Sequence, residues 1–219
     1  MIVLKIGGAV AGGTFPLPDG PSSNDDVCVV HGAGPQITAE MERRGLPVEF
    51  VRGRRVTTAA ALEVVREALA AVNRGLCAAI GPRAIGLMGD EIGLRAVRLP
   101  ELGLVGAPVP CRPPAVEAAL ADGLVPVIAP LAAGPLNVNA DELAAALAAG
   151  LGAERLVFLT DVPGLLLDGA VVERIPADEA EELLASGELE GGILPKLAAA
   201  VTAARLGVAA SIGETAVHV

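Results

Sequence analysis

Aromatic residues are almost absent from this chain of 219 residues, which contains no tryptophan, no tyrosine and three phenylalanines. Hydrophobic residues nevertheless make up 53% of the chain, so its core must be built mainly from alanine, valine, leucine and isoleucine. Layers of small aliphatic side chains suit helices that pack closely on a parallel sheet. An intrinsically disordered protein is not expected, because a chain of this hydrophobicity can bury enough apolar surface to fold.

Runs of basic residues are also lacking. The formal net charge is −10, and no cluster of lysine and arginine offsets it. Binding to nucleic acid or to an anionic membrane is therefore not expected. A small anionic ligand remains compatible with this charge, because such a ligand responds to a few local cations.

Cysteine is scarce, and long uncharged apolar runs are missing. The three cysteines, Cys28, Cys77 and Cys111, are far apart and odd in number, so they are interpreted as reduced thiols rather than as a disulfide framework or a zinc site. The chain opens with MIVLKIGG, which lacks the basic start of a secretory signal, and no segment is typical of a membrane-spanning helix. These features predict a cytoplasmic protein.

Short apolar runs alternate with amphipathic segments along the chain. Strands are predicted at residues 2–6, 27–30, 84–87, 97–99, 124–129, 155–160 and 208–212, the last being the final strand, with residues 48–55 extended and a hairpin around Asp168 and Gly169. Helices are predicted at 36–44, 177–186 and 193–206, and after Thr57 or Thr58, at Pro114 and after Asn139. This alternation predicts a doubly wound, mainly parallel α/β sheet.

The segment LNVNADELAAALAAGLG, residues 136–152, carries more polar groups than the start of a helix requires. Asn139 is well placed as the N-cap, and Glu142, three residues on, forms a capping-box-like pair with it. Asp141 falls in the first turn, where the helix dipole favours a negative charge. Capping does not account for Asn137 and Asp141 together, so the segment is a candidate functional site.

Two glycine-rich turns follow two early strands: KIGG at residues 5–8 and HGAG at residues 31–34. Ligands of open parallel sheets bind beyond the carboxyl ends of the strands, where glycine lets backbone N–H groups approach a phosphate. Glycine also ends strands that bind nothing, and one such turn alone would be ambiguous. Because burying an unpaired ammonium is costly, we expect Lys5 to point out of its strand end toward an anion.

Neither turn matches a common nucleotide-binding motif. HGAGPQI has Ile37 in place of the third glycine of G-x-G-x-x-G, and no P-loop sequence is present. The two histidines, His31 and His218, form neither a metal cluster nor a triad. His31 is interpreted as a hydrogen-bonded structural residue.

Two further cations stand where an anionic ligand would explain them. Lys196, in GGILPK, lies in the first turn of a predicted helix, where a positive charge opposes the dipole. Arg55, in RRVTT, precedes a capped helix and could hold a carboxylate with two parallel hydrogen bonds. A solvated surface position is the alternative for each residue.

These segments, in this order, resemble the amino acid kinase family, and within it the branch that phosphorylates N-acetyl-L-glutamate. The resemblance covers most of the chain and is carried by KIGG at 5–8, VVHGAG at 29–34, RRVTTAAALEVV at 54–65, VNRGL at 72–76, LNVNAD at 136–141, LGAERLVFLTDVPGLL at 151–166 and GGILPKLAAAV at 191–201. It implies a three-layer αβα sandwich with a mainly parallel open sheet, like that of carbamate kinases. The chain would form a single domain, with an acceptor-binding lobe at about 1–135 and a nucleotide-binding lobe at about 136–219.

The resemblance implies phosphoryl transfer from ATP, with Mg²⁺ carried by the nucleotide and no metal site of the protein itself, to the side-chain carboxylate of N-acetyl-L-glutamate. Lys5 and Lys196 would act on the transferring group, and Asp141 would hold them. The expected acceptor-binding residues are Ala33, Gly34, Arg55 and Asn137. The expected nucleotide-binding residues are Gly7, Gly8, Thr160, Asp161, Val162, Gly164, Leu166, Glu188, Leu189 and Glu190.

The sequence departs from the family pattern in three places. Ala33 stands where the family usually has glycine, residues 9–26 replace a helical crossover with a Gly/Pro-rich segment, and the chain ends soon after the last predicted strand. A start directly on the first strand favours a homodimer without arginine feedback. Two alternatives stay open: a kinase for an aminoadipate-type acid of lysine biosynthesis, and a reduced, non-catalytic ligand-binding relative.

Overall fold

The computed structural model describes residues 1–7, 26–160 and 162–219. Within these ranges the strands are β1 (Ile2–Ile6), β2 (Val27–His31), β3 (Phe50–Val51), β4 (Arg54–Arg55), β5 (Ala84–Met88), β6 (Ala96–Arg98), β7 (Val105–Pro108), β8 (Val125–Ala129), β9 (Leu131–Ala132), β10 (Leu136–Val138), β11 (Arg155–Leu159), β12 (Leu166–Leu167), β13 (Ala170–Val171), β14 (Arg174–Pro176), β15 (Ala209–Ile212) and β16 (Thr215–His218). The helices are α1 (Gly34–Arg43), α2 (Ala59–Ile80), α3 (Pro114–Ala121), α4 (Ala140–Leu151), α5 (Ala177–Ser186) and α6 (Ile193–Arg205).

The described residues form one large sheet of eight strands in the order β14-β16-β15-β11-β1-β2-β8-β5. Every neighbouring pair is parallel except β15 and β16. The carboxyl ends of β1, β2, β8 and β11 therefore meet at one edge of the sheet. A smaller sheet, β6-β7-β10-β9, leads into α4. The predicted three-layer αβα architecture with a mainly parallel sheet is confirmed.

Strand alternation divides the side chains of β1 between two helical layers. Val3 belongs to the hydrophobic cluster that α4 and α6 build on one face of the sheet. Leu4 and Ile6 pack on the opposite face, in a cluster that includes Leu76 of α2. Lys5 has the parity of Val3 and so faces the α4 layer, and this parity decides which polar groups it can reach.

Most predicted elements are present, and the prediction of the last strand is wrong. Residues 208–212 were expected to be the final strand, but β15 is followed by β16, which pairs with it antiparallel. The connection is only Gly213 and Glu214, with Gly213 at φ 54°. A strand of four residues after so short a turn has no apolar run of its own to mark it.

The segment predicted as extended, residues 48–55, contains a tight hairpin. β3 and β4 pair antiparallel, and the residues between them, Arg52 and Gly53, both have positive φ, 49° and 75°. Left-handed residues at both central positions are typical of the turns that join twisted strands. The hairpin predicted around Asp168 is also present, as β12 and β13.

The start of α4 is only partly as predicted. The Asn139 side chain accepts hydrogen bonds from the backbone N–H groups of Asp141 (2.8 Å) and Glu142 (3.1 Å), so it is the N-cap. The Glu142 carboxylate, expected to complete a capping box, instead pairs with Arg54, 3.0 Å away. The reason is tertiary: the 50–55 hairpin brings a guanidinium against the first turn of α4.

Several predictions fall on residues outside the described ranges. These are the roles of Gly8 and Asp161, and the absence of a helix in the Gly/Pro-rich segment, of which the structure describes only Asp26. In the described part of the chain, none of the helices has the length and apolar character needed to cross a bilayer.

Candidate functional site

A cleft of about 460 Å³ opens at the carboxyl edge of the large sheet. The ends of four parallel strands reach it, through Gly7 after β1, Gly32 after β2, Pro130 after β8 and Thr160 after β11. The first turn of α4, the start of α6 and the 50–55 hairpin complete its walls. This is the position at which open parallel sheets bind their ligands.

A buried ion pair in the cleft joins Lys5 to Asp141. The ammonium Nζ and a carboxylate oxygen are 2.7 Å apart, and the two residues are 5% and 6% exposed. The parity of β1 sends Lys5 toward the α4 layer, while the Asn139 cap fixes Asp141 in the first turn of α4. Because the pair is buried, it fixes the position of the ammonium. Either charge alone would be costly at this depth, so each is tolerated only in the presence of the other.

Lys196 lines the same cleft from α6. It lies in the first turn of α6, lines the cleft and donates from Nζ to the Gly192 carbonyl at 2.9 Å. The bond to this carbonyl places the charge at the amino end of the helix, against the dipole. The structure therefore brings Lys5, Asp141 and Lys196 to one cleft, with Asp141 paired to Lys5. The expected hold of Asp141 on Lys196 stays a prediction.

Arg55 is 6% exposed and lines the cleft. Its guanidinium donates to Thr38 Oγ1 at 2.7 Å and to the Gly34 carbonyl at 3.3 Å, and it lies 4.4 Å from the centre of the Phe50 ring. Burial lowers the pKa of this group, but a guanidinium stays protonated at neutral pH. Among the described residues no carboxylate forms an ion pair with it, so the site holds a buried positive charge suited to an acidic ligand.

Asn137 is positioned by a short relay of hydrogen bonds. Its amide donates to Thr57 Oγ1 at 3.0 Å, and the Thr57 hydroxyl donates to the Arg55 carbonyl at 2.7 Å. The relay connects β10 to β4 and holds Asn137 beside the strand that carries Arg55. Arg55 and Asn137, two of the four predicted acceptor-binding residues, line the same cleft.

The described residues of the two glycine turns, Gly7 and 32–34, also line this cleft. Gly34 is the first residue of α1, so the N–H groups at the amino end of that helix point toward the cleft, where they favour an anion. A Cβ added to Gly7 or Gly34 would meet no described atom within 4 Å. In the described part of the chain no packing contact requires glycine at these two positions, and the open space fits a ligand that approaches the backbone. Ala33 lines the same turn and is 3% exposed.

The charge of the cleft is opposite to that of the chain. Of the described residues that line it, four are basic and one is acidic: Lys5, Arg54, Arg55, Lys196 and Asp141. The whole chain has a formal charge of −10. This contrast favours the binding of an anionic ligand at the cleft over its binding elsewhere on the surface.

Six of the predicted nucleotide-binding residues do not line the cleft. Val162 and Leu166 are 41% and 45% exposed, Leu189 is buried in the core, and Glu188 and Glu190 are exposed. Gly164 has a packing reason to be glycine, since a Cβ there would lie 2.5 Å from the Thr215 hydroxyl. The nucleotide roles of these residues remain predictions. Gly7 and Thr160, the other two described members of the set, do line the cleft.

The sequence did not reveal the neighbours that hold the predicted residues in place. Thr38, Phe50 and Thr57 contact Arg55 or Asn137, and Arg54 lines the cleft while pairing with Glu142. Thr57 lies two residues after Arg55 in the RRVTT segment, so its contact with the Arg55 strand could have been noticed there. The other contacts depend on which elements meet in space.

The chain belongs to the amino acid kinase family, whose model matches residues 1–213. An acetylglutamate kinase of Rubrobacter xylanophilus is 45% identical over 221 aligned residues, which cover 96% of this chain and 87% of that protein. An acetylglutamate kinase of Methanopyrus kandleri is 40% identical over 228 aligned residues, covering 94% of this chain and 92% of that one.

Solved structures show the same architecture. The smu.665 protein of Streptococcus mutans is 28% identical, with a TM-score of 0.87, and the match covers 99% of this chain and 98% of that chain. A carbamate kinase of Giardia lamblia, 14% identical, has a TM-score of 0.70 over 99% of this chain and 98% of its own. The second likeness concerns the fold alone.

Proposed function

We propose that this protein transfers the γ-phosphoryl group of ATP to the side-chain carboxylate of N-acetyl-L-glutamate, the acetylglutamate kinase step of arginine biosynthesis. The observation that carries the proposal is one cleft that holds both a buried Lys5–Asp141 pair and the Arg55 guanidinium, which no described carboxylate neutralises. One charge suits a transferring phosphoryl group and the other suits the acceptor. The names of the relatives, at 39–46% identity, agree with this assignment.

At the phosphoryl end, Lys5 and Lys196 neutralise charge on the transferring group, and Asp141 holds the two lysines in position. A carboxylate oxygen of the acceptor bonds to the γ-phosphorus while the bond from that phosphorus to the bridging oxygen breaks, and ADP leaves with the electron pair. A carboxylic acid is already ionised at neutral pH, so no general base is required. Catalysis then consists of alignment and charge neutralisation.

At the acceptor end, Arg55 binds a carboxylate of acetylglutamate and Asn137 hydrogen-bonds to the same molecule. The Ala33–Gly34 turn contributes backbone N–H groups. The planar fork of the guanidinium suits a carboxylate better than a lysine would. Phe50, packed against Arg55 at the mouth of the cleft, limits the movement of that group.

The nucleotide binds from the α6 side, bringing its own Mg²⁺. Gly7 and Thr160 lie at the cleft, and we place Gly8, Asp161, Val162, Gly164, Leu166 and residues 188–190 along the rest of the nucleotide. The single domain is then divided near residue 135 into an acceptor-binding and a nucleotide-binding lobe. We further propose that the enzyme is a cytoplasmic homodimer.

A substrate panel tests the proposed function. ADP release is measured with ATP, Mg²⁺ and one acid at a time: N-acetyl-L-glutamate, L-glutamate, N-acetyl-L-aspartate or an aminoadipate-type acid. Hydroxylamine in a parallel reaction traps the acyl phosphate as a hydroxamate. We expect the highest kcat/KM with N-acetyl-L-glutamate. A higher kcat/KM with the aminoadipate-type acid would instead assign the protein to lysine biosynthesis. Tight ATP binding without turnover of any acid would indicate a non-catalytic relative.

A further inference from the structure

His31, the last residue of β2, lies in a buried polar network on the face of the sheet opposite Lys5. It is 0% exposed, and Asn73 of α2 is 6% exposed. Asn73 Nδ2 is 3.1 Å from His31 Nε2 and donates to the Val127 carbonyl at 2.8 Å. His31 Nδ1 is 3.3 Å from the Gly32 carbonyl. The phosphoryl-transfer chemistry uses none of these side chains directly.

The partners of the Asn73 amide decide the tautomer of His31. Nδ2 must face the Val127 carbonyl, because the amide oxygen there would oppose another acceptor. The second hydrogen of the same nitrogen points to His31 Nε2, which therefore accepts. The proton of the neutral ring is left on Nδ1, where it is donated to the Gly32 carbonyl. Burial lowers the pKa of His31 to about 4, so the ring is neutral at pH 7.

The hydrogen bond from Nδ1 acts on the turn that borders the cleft. Gly32, Ala33 and Gly34 all line the cleft, and α1 begins at Gly34. The Gly32 N–H is already held by the Ile6 carbonyl at 3.0 Å. The Gly32 carbonyl, held by His31, belongs to the next peptide, which also carries the Ala33 N–H. Each of the two peptides that flank the Gly32 Cα is therefore held by one hydrogen bond. The orientation of the following N–H groups is then set by a chain of contacts that begins in α2.

We propose that His31 and Asn73 are positioning residues, which hold the 32–34 turn so that its backbone N–H groups are aimed at the acceptor and the transferring phosphoryl group. This inference rests on the proposed function, because it assigns that turn to substrate binding. The Nδ1–H group of His31 holds the turn through its hydrogen bond to the Gly32 carbonyl. Gly86 provides the space that Asn73 needs, since a Cβ there would lie 2.1 Å from its Oδ1.

Two substitutions of His31 separate its two hydrogen bonds. Asparagine places an N–H near the position of Nδ1, so H31N keeps the donor to Gly32 and loses the contact with Asn73. Glutamine reaches the position of Nε2, so H31Q keeps an acceptor for Asn73 and loses the donor to Gly32. A purely structural role predicts similar losses of stability for both and unchanged kinetics in the folded protein.

The experiment compares kcat, the KM for acetylglutamate and the KM for ATP in both variants, corrected for the folded fraction. We expect H31Q to lose roughly 10- to 100-fold in kcat/KM for the acceptor relative to H31N, since small misplacements of aligned groups have effects of this size. The KM for ATP should change less than about twofold. L76A is the control, because Leu76 is 1% exposed and packs in the same layer without being among the partners of His31. It should lower Tm and leave the kinetic constants unchanged.

Equal kinetic constants for H31N and H31Q would overturn the inference, as would an L76A variant that lost kcat/KM to the same extent as H31Q. If neither His31 variant folds, G86A displaces Asn73 without altering the histidine and should also lower kcat/KM for the acceptor; unchanged constants would count against the inference.

A measurement independent of turnover keeps this inference separate from the proposed function. The chain contains two histidines, so ¹⁵N NMR of the imidazoles, assigned with an H218A variant, reports which nitrogen of His31 carries the proton. Protonated Nδ1 and unprotonated Nε2 are expected, and the opposite tautomer would contradict the inference. If the wild type shows this tautomer but phosphorylates no acid, the proposed function fails and the description of His31 stands.

Discussion

Replacing Asp141 with asparagine separates two explanations for the polar start of α4. If Asp141 only complements the helix dipole, its loss costs roughly 0.3–1 kcal/mol and activity survives. If it holds Lys5, the change leaves a buried ammonium beside a neutral amide, and both folding and turnover suffer. The Asn139 cap is kept in either case, because its bonds are to backbone N–H groups.

The magnitude follows from the burial of the pair. Lys5 and Asp141 are 5% and 6% exposed and 2.7 Å apart. Removing one partner of a buried pair costs about 3–5 kcal/mol, and we expect the lower end, about 3 kcal/mol, because the amide oxygen can still accept a hydrogen bond from the ammonium. For a protein of this size such a loss lowers Tm by roughly 6–12 °C. Turnover should fall about 10²-fold or more, as when an oriented charge is removed from a transition state.

The assay is a double-mutant cycle with K5M, read by thermal unfolding and by ADP release. K5M combined with D141N should be more stable than D141N alone, because the unpaired ammonium is gone, yet it should be inactive. E142Q is the control for the dipole, since Glu142 lies in the same turn but pairs with Arg54 and is partly exposed. That variant should lose less than about 1 kcal/mol.

Two results would refute this reasoning. The first is additive stability changes in the cycle, which would mean that the two buried charges do not depend on each other. The second is a D141N variant that is destabilised but keeps its kcat within about twofold, which would leave Asp141 with a structural role only.

The remaining predictions concern the other charged groups of the site and the buried histidine. K196A should fold normally and lose at least about 10²-fold in kcat; circular dichroism and ADP release check this, and near-normal kcat would remove Lys196 from the reaction. R55K should raise the KM for acetylglutamate by roughly 10-fold or more, because an ammonium cannot replace two parallel hydrogen bonds, with the KM for ATP unchanged; equal shifts in both constants would argue against an acceptor site. Since burial lowers the pKa of His31 to about 4 from about 6.5, the unfolded chain binds the extra proton first, and stability falls as pH drops from about 6.5 to 4. The wild type should lose about 3 kcal/mol more than H31N between pH 7 and pH 4, as measured by urea unfolding; parallel curves would contradict a buried neutral ring.

The catalytic candidates could be predicted because each one conflicts with its local setting. Lys5 interrupts an apolar strand, Asp141 exceeds the needs of a cap, and Lys196 lies at the end of a helix that disfavours positive charge. Such conflicts are visible along the chain and are expected where function overrides local preference. The glycine turns after β1 and β2 were predictable in the same way.

The supporting contacts could not be predicted because they join elements that are distant in sequence. Thr38 of α1 and Phe50 of β3 both contact Arg55. Glu142 pairs with Arg54 instead of completing the expected capping box. Periodicity places each residue on a face of its own element, but it does not say which element lies opposite. The short strand β16 was missed for a different reason, since a two-residue turn and four residues carry too little pattern.

The proposed phosphoryl transfer is tested most directly by giving the protein ATP and N-acetyl-L-glutamate together. ³¹P NMR of the purified protein with both compounds and Mg²⁺ follows the fate of the γ-phosphorus in one experiment. We expect ATP to disappear while ADP and an acyl phosphate signal arise in equal amounts, with neither change in the absence of the acid. ADP and inorganic phosphate formed at the same rate with and without N-acetyl-L-glutamate would contradict the proposed transfer.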